Sequence, residues 1–340
     1  MPENDNRELF VLNEKDNKPV VEKRDHQRLS TYSHHHYIAA ATSDNTRKTY
    51  QSAIRQVQKS GVKLPCNDDT VTQYLTDKAS LLNPRSLSLH LSAIKQWHIT
   101  QGFNDPTQSP VVKKTISGIR RIHGKPKKKA KALRLEHIAT LLTALHLKPE
   151  SNKKRRDIAL LLIAFLGAFR RSELVAINYS DIEWAPEGIA ITLPQSKTDQ
   201  ASDGMVRSIP YGKAANCPVR ALKDWINCGG IQSGSIFRAI NRWDQVDSNA
   251  LNPSSINGIL KSLALECGFD FVPELSSHSF RRGLSTSAAR EKIDFELIKK
   301  QGGWKSDATV WGYIEEGKQF SDNATIILMD RMSELLGKHD

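Results

Sequence analysis

The sequence predicts a mainly α-helical protein of two units, the second carrying a small antiparallel β-sheet. Apolar residues recur at helical spacing in four segments before residue 124, a basic strip broken by proline then interrupts the pattern, and helical stripes resume beyond it around two short β-type runs. With 340 residues, 39% of them hydrophobic, the chain is long enough to bury two cores.

Residues 1–27 mix charges without periodicity and read as an arm outside the folded units. The first helix is expected from Ser43 or Asp44, with Tyr50, Ile54 and Val57 on one face, and stops at Gly61. Asn67, Asp68 and Asp69 signal the start of a second helix, which turns Val71, Tyr74 and Leu75 inward. Asn83-Pro84 opens a third, striped by Leu87, Leu91, Ile94 and Trp97, because proline suits a first helical turn. Ser109-Pro110 opens a fourth, which buries Val112, Ile116 and Ile119 and leaves Lys113, Arg120 and Arg121 outward. Past the strip, helices are expected at 135–145, 158–166, 219–228, 256–267, 280–290 and 295–301, with strands at 189–193 and 205–209.

Charge narrows the function. The net charge is +12, and Lys113, Lys114, Arg120, Arg121, Lys125, Lys127, Lys128, Lys129, Lys131 and Arg134 fall in one stretch without a single Asp or Glu. A charge run alone is usually a solvated tether. Between two folded segments it suits a linker that tracks DNA phosphates, with affinity falling as salt rises. Cys66, Cys217, Cys228 and Cys267 are scattered, which suggests neither a zinc site nor a disulfide framework and fits a reducing cytoplasm. No apolar run reaches signal or membrane-span length, so a soluble, DNA-associated intracellular protein is expected. His34, His35 and His36 read as a polar lead into the bundle rather than a metal site.

An ordered set of side chains then points to chemistry. The segment from Gly167 to Leu174 sets Arg170 at the end of an apolar helix, with Glu173 spaced to hold its guanidinium, while Arg171 reads as solvent-facing. Lys197 stands in the polar turn between the two strands. His278 and Arg281 share a helix face and can present an imidazole and a guanidinium to one oxyanion. Trp304 follows two glycines, and Tyr313 comes nine residues later. Taken singly, each has an ordinary account: a helix-end arginine with a local partner, a chance H-x-x-R, a packing tryptophan, a core tyrosine. Together, the cations and the indole N–H can converge on a phosphodiester that a phenol attacks.

On these residues the chain resembles the tyrosine recombinase (phage integrase) family, and within it the Cre-type members. The likeness runs from the helix around Thr46 to Tyr50, similar to the start of the family's core-binding domain, as far as Tyr313. It implies an arm at 1–27, a helical core-binding DNA-binding domain at 28–124, a basic linker at 125–134 and a catalytic domain at 135–340 ending in a docking helix, the two domains closing as a C-shaped clamp on duplex DNA. It implies Arg170 and Arg281 as the active-site arginines, Lys197 as the lysine of the strand-joining turn, His278 as the histidine and Tyr313 as the nucleophile. Trp304 stands where many members carry a second histidine.

The chemistry explains why such groups are needed. A free phenol has a pKa of about 10, so near pH 7 only about one in a thousand is ionised, and an anionic phosphate repels it. Two guanidiniums answer that repulsion through forked hydrogen bonds that strengthen as charge develops. His278 can accept the phenol proton or donate to the phosphate, Lys197 can protonate the departing 5′ oxygen, and Trp304 can donate its indole N–H. The 3′-phosphotyrosyl bond conserves energy, so neither ATP, a metal nor another cofactor is expected. The resemblance further implies an inverted-repeat DNA target, a Holliday junction, and a homotetramer on DNA from protomers that associate weakly off it. Leu328, Met332 and Leu335 offer a stripe for docking on a neighbour or in cis. Rival readings are a type IB topoisomerase, which would relax a plasmid lacking any target site, and a helix-turn-helix regulator using Phe295 to Tyr313. A metal-dependent nuclease would need clustered carboxylates and would be stopped by EDTA.

Overall fold

The computed structural model describes residues 41–126, 128–193, 205–213, 216–318 and 324–336. The arm at 1–27, the His34-His35-His36 cluster, Lys127 and Lys197 lie outside the described residues. The chain divides between Lys127 and Lys128 into two compact units, each with a core of its own.

The first unit is four helices: α1 (Asp44–Lys59), α2 (Asp68–Lys78), α3 (Pro84–Thr100) and α4 (Pro110–His123). Side chains start three of them, because Ser43, Asn67 and Asn83 each accept a hydrogen bond from a backbone N–H of the first turn. Ser109, which precedes α4, instead donates to Asp68 at 2.7 Å and ties the start of α4 to that of α2. The expected stripes meet in one core, with Leu91 and Trp97 at its margin. Two buried histidines complete it. His90 Nδ1 lies 2.6 Å from the Tyr74 hydroxyl, and His98 Nε2 accepts from the Cys66 N–H at 3.0 Å, which leaves Nδ1 to donate to the Ile94 carbonyl at 2.9 Å.

The second unit is mainly helical around α6 (Asn152–Leu166), which follows α5 (Leu135–His146) and is buried on every side from Ile158 to Phe165. Helix α6 begins six residues before its apolar stripe. Its first turns are charged but internally matched: the Lys154 ammonium donates to the His146 and Lys148 carbonyls at 3.0 and 2.7 Å, and Arg156 pairs with Asp157 at 2.7 Å. A short helix α7 (Arg171–Ala176) leads to an antiparallel sheet in the order β1 (Ile182–Ala185), β2 (Gly188–Leu193), β3 (Met205–Pro210), with Ile191 opposite Arg207. After α8 (Pro218–Cys228) a separate hairpin pairs β4 (Arg238–Ile240) with β5 (Val246–Ala250). Helices α9 (Ser255–Glu266), α10 (His278–Arg290), α11 (Phe295–Gly302), α12 (Asp307–Lys318) and α13 (Ala324–Leu336) finish the chain.

Strands β1, β4 and β5 and helices α7 and α12 have no counterpart among the sequence expectations. The strands are three to five residues long and lack apolar alternation, so pairing rather than pattern defines them. Residues at the end of the basic strip join the second unit: the Lys131 and Leu133 N–H groups donate to the Glu274 and Ser279 carbonyls, and Leu133 is fully buried. Among the described residues no helix is long and apolar enough to cross a membrane.

Candidate active site

The site is built where α6 ends. Gly167 caps α6, and Ala168 takes a left-handed conformation at φ 47°, a strained state for a residue with a side chain. Arg170 is therefore not the end of the apolar helix, as its sequence position suggests: that helix stops at Leu166, and Arg170 is the N-cap of α7. The change of place explains Glu173. At the third position of α7, its buried carboxylate accepts the Arg170 backbone N–H at 2.8 Å through one oxygen and the Arg170 guanidinium through the other. One side chain thus closes the helix start and fixes the cation. Arg171 is exposed.

Arg281 comes from α10 and is 4% exposed. Its guanidinium donates to the Ala168 carbonyl, and to the Gly302 carbonyl at 3.0 Å, and lies 4.8 Å from the centre of the Trp304 ring. Burial, and after it repulsion from Arg170, pushes its pKa down to about 10, so it remains charged near pH 7. Gly302 leaves room for that ring: a Cβ there would lie 1.6 Å from a Trp304 ring carbon. Tyr313, on α12, packs its ring 5.6 Å from that of Trp304. A small core of Ala289, Ile298, Trp304, Val310 and Ile314 carries this corner, with Tyr313 against it. Val310 and Ile314 hold one face of α12 against this core.

The structure thus brings Arg170, Glu173, Arg281, Trp304 and Tyr313 to one corner of the second unit. His278 opens α10 one turn before Arg281 and is exposed. Lys113, Lys114, Arg120, Arg121 and Lys125 are exposed in the first unit, and Lys128, Lys129 and Lys131 in the second. Leu328, Met332 and Leu335 are exposed on α13 together with Ile326, Ile327 and Met329.

Two arginines in this corner escape the sequence expectations. Arg282, beside Arg281, pairs with Glu316 and stands 5.8 Å from the Tyr313 ring centre, tying α10 to the helix of the phenol. Arg207 points inward from β3 and donates to the Gly302 carbonyl at 3.0 Å. A signal for it exists in the chain: it shares the inward alternation of β3 with Ile209, and a charge on a buried strand face marks a site.

Similarity to known proteins agrees with this geometry. Residues 131–319 match the model of the phage integrase family. An integrase/recombinase xerD homolog of Selenomonas ruminantium is 34% identical over 327 residues, covering 93% of this chain and 95% of that protein. The tyrosine recombinase XerC of Shewanella sp. (strain ANA-3) is 23% identical over 252 residues, 64% of this chain and 73% of the relative. In fold, the chain resembles the XerH site-specific recombinase bound to palindromic difH substrate, with a TM-score of 0.61, 15% identity and coverage of 86% of this chain and 82% of that one. It also resembles a lambda integrase dimer bound to a COC′ core site, with a TM-score of 0.56, 16% identity and coverage of 82% and 74%. By sequence over nearly its whole length, this chain belongs to the phage integrase family and is a site-specific tyrosine recombinase.

Proposed function

We propose that this recombinase cuts and rejoins duplex DNA at an inverted-repeat site through a 3′-phosphotyrosyl intermediate, using Tyr313 as nucleophile. The observation that carries this reading is the packing of Tyr313 on the same tryptophan that supports the Arg281 guanidinium, within one chain. In the first step the Tyr313 oxygen bonds to phosphorus as the bond to the 5′ oxygen breaks. Arg170 and Arg281 hold the non-bridging oxygens, and Trp304 donates its N–H to the same phosphate. His278 takes the phenol proton or donates to the phosphate, and Lys197 protonates the leaving 5′ oxygen. A 5′-hydroxyl of the partner duplex reverses the step, and two rounds through a Holliday junction exchange both strands. Neither metal nor ATP enters this balance, because each step replaces one phosphate ester by another.

The 28–124 and 135–340 domains are taken to close on DNA, with the exposed cations from Lys113 to Lys131 following its phosphates. A homotetramer on DNA is the working assembly, and the exposed apolar residues of α13 supply a surface for it. The test is incubation with DNA flanking the gene and a denaturing gel for protein bound to DNA. Wild type should form an adduct and Tyr313→Phe should bind the same DNA without one; an adduct persisting in that variant removes Tyr313 from its role. Lys197→Ala should recover partly on a substrate with a 5′-bridging sulfur, whose leaving group needs no proton. Neutralising Lys113, Lys114, Arg120 and Arg121 should lower the slope of log affinity against log salt by about 0.9 for each DNA phosphate that is no longer neutralised.

A further inference from the structure

We propose that Arg207 is a positioning residue of the recombination site, bracing the Gly302 carbonyl so that Arg281 and Trp304 are held in register for the phosphate. This rests on the active-site reading of the same corner, and the experiment is chosen to separate the two.

Arg207 is 2% exposed on a strand face whose next inward residue is Ile209. Among the described residues its guanidinium faces no carboxylate within ion-pair distance, and its buried Nε has no partner. A buried cation is costly unless matched, and an aliphatic side chain at this position would avoid that cost. What Arg207 does have is one carbonyl, that of Gly302, which it shares with Arg281, each nitrogen standing at 3.0 Å. That carbonyl belongs to the last residue of α11, where backbone acceptors lack helical partners and the helix dipole favours cations.

The turn is shaped around the arginine. At Gly303, whose φ is +58°, a Cβ would fall 1.9 Å from the Arg207 Nη2, just as a Cβ on Gly302 would strike the Trp304 ring. The two glycines preceding Trp304 thus make room for one guanidinium and one indole. Gln301 adds a tie from the same turn to the Leu166 carbonyl at 2.7 Å. Burial and then Arg170 push Arg207 down to about 10, and Arg207 contributes to the same fall at Arg281. Without Arg207, Arg281 alone holds the Gly302 carbonyl, and the two lose the brace that fixes their direction. A displacement of about 1 Å at a reacting centre slows chemistry about 100-fold.

The experiment compares wild type, Arg207→Met and Arg207→Lys on the flanking DNA, reading DNA affinity, the single-turnover rate of covalent adduct formation, and hydrogen exchange of the Gly303 and Trp304 amides. Arg207→Met should slow adduct formation about 100-fold, leave affinity within about threefold, and unprotect those two amides while α6 stays protected. Arg207→Lys should recover at least about tenfold of the rate, since an ammonium can still meet one carbonyl. An unchanged rate in Arg207→Met, a rate loss matched by lost affinity, or unchanged exchange at Gly303 and Trp304 overturns the inference. Should wild type form no adduct on any DNA, the active-site reading fails, and the exchange comparison alone decides whether Arg207 braces the turn. If Arg207→Met does not fold, Arg207→Lys carries the exchange test, and unaltered exchange in it overturns the bracing.

Discussion

The two units bury polar side chains in opposite ways. In the first, the buried histidines have uncharged partners: His90 has the Tyr74 hydroxyl, and His98 has the Cys66 N–H and the Ile94 carbonyl. Burial pushes Tyr74 up to about 12 and the Cys66 thiol up to about 11, and pulls His90 down, so all three stay uncharged near neutrality. In the second unit, Glu173 pairs with Arg170 alone, while Arg207 and Arg281 feel that carboxylate only at longer range, without an ion pair to it. This imbalance is local, because the same unit matches its other buried cations, Arg156 with Asp157 and Arg282 with Glu316. Matched burial serves packing. Uncancelled positive charge in a fixed frame is what an anion with growing charge requires, and a phosphodiester under attack is such an anion.

The contrast breaks most easily at Glu173. Replacing it with Ala removes the carboxylate paired with Arg170 and the acceptor that starts α7, and should destabilise the protein by about 3–5 kcal/mol in chemical denaturation. Glu173→Gln keeps the acceptor and should lose visibly less. If Glu173→Ala costs under about 1 kcal/mol, the arginines do not depend on it. Arg281→Met should show the reverse balance. Adduct formation should fall about 10²–10³-fold, as for loss of an oxyanion donor, while stability falls less than in Glu173→Ala, because losing one of three like charges offsets the lost hydrogen bonds to Ala168 and Gly302. A variant equally damaged in both measurements would make Arg281 a structural cation.

That asymmetry also explains what the sequence can disclose. Helices α1 to α4 are legible because their caps and apolar stripes coincide, and a matched core writes itself as periodicity. Arg170, Glu173, His278, Arg281, Trp304 and Tyr313 are visible as an ordered set of chemical types. Arg207 leaves only its alternation with Ile209 as a trace, since a lone arginine in a strand of six residues looks solvent-facing until the pairing of β3 with β2 turns it inward. The early turns of α6 escape periodicity for a related reason. Lys154, Arg156 and Asp157 are buried through partners 1–8 residues away or on other segments, and apolar period carries no record of ion pairs. Arg170 itself is identifiable but falls on the wrong helix, because Gly167 ends α6 and the left-handed Ala168 then turns the chain before Arg170 opens α7.

Smaller effects probe the matched side of the comparison. Tyr74→Phe leaves the buried His90 Nδ1 without its hydroxyl and should cost about 1–2 kcal/mol with no change in adduct rate per folded molecule. A change in that rate would mean that the first unit's polar pair takes part in the site. The mildest test is pH. His90 has its pKa lowered from 6.5 by burial, so the folded chain resists protonation that the unfolded chain accepts. Its contribution is therefore complete above pH 6.5 and is lost as pH falls through 6.5 toward the lower folded value. His137 in the second unit is lowered by burial and by Arg134 and adds a slope of the same sign, so melting between pH 8 and 5 should be compared in wild type, His90→Gln and His137→Gln. His90→Gln should flatten part of the slope. The arginines, at about 10, keep their charge throughout this range. A slope identical in wild type and His90→Gln would show that the imidazole does not couple to folding, and the Tyr74–His90 pair would then be no model of matched burial.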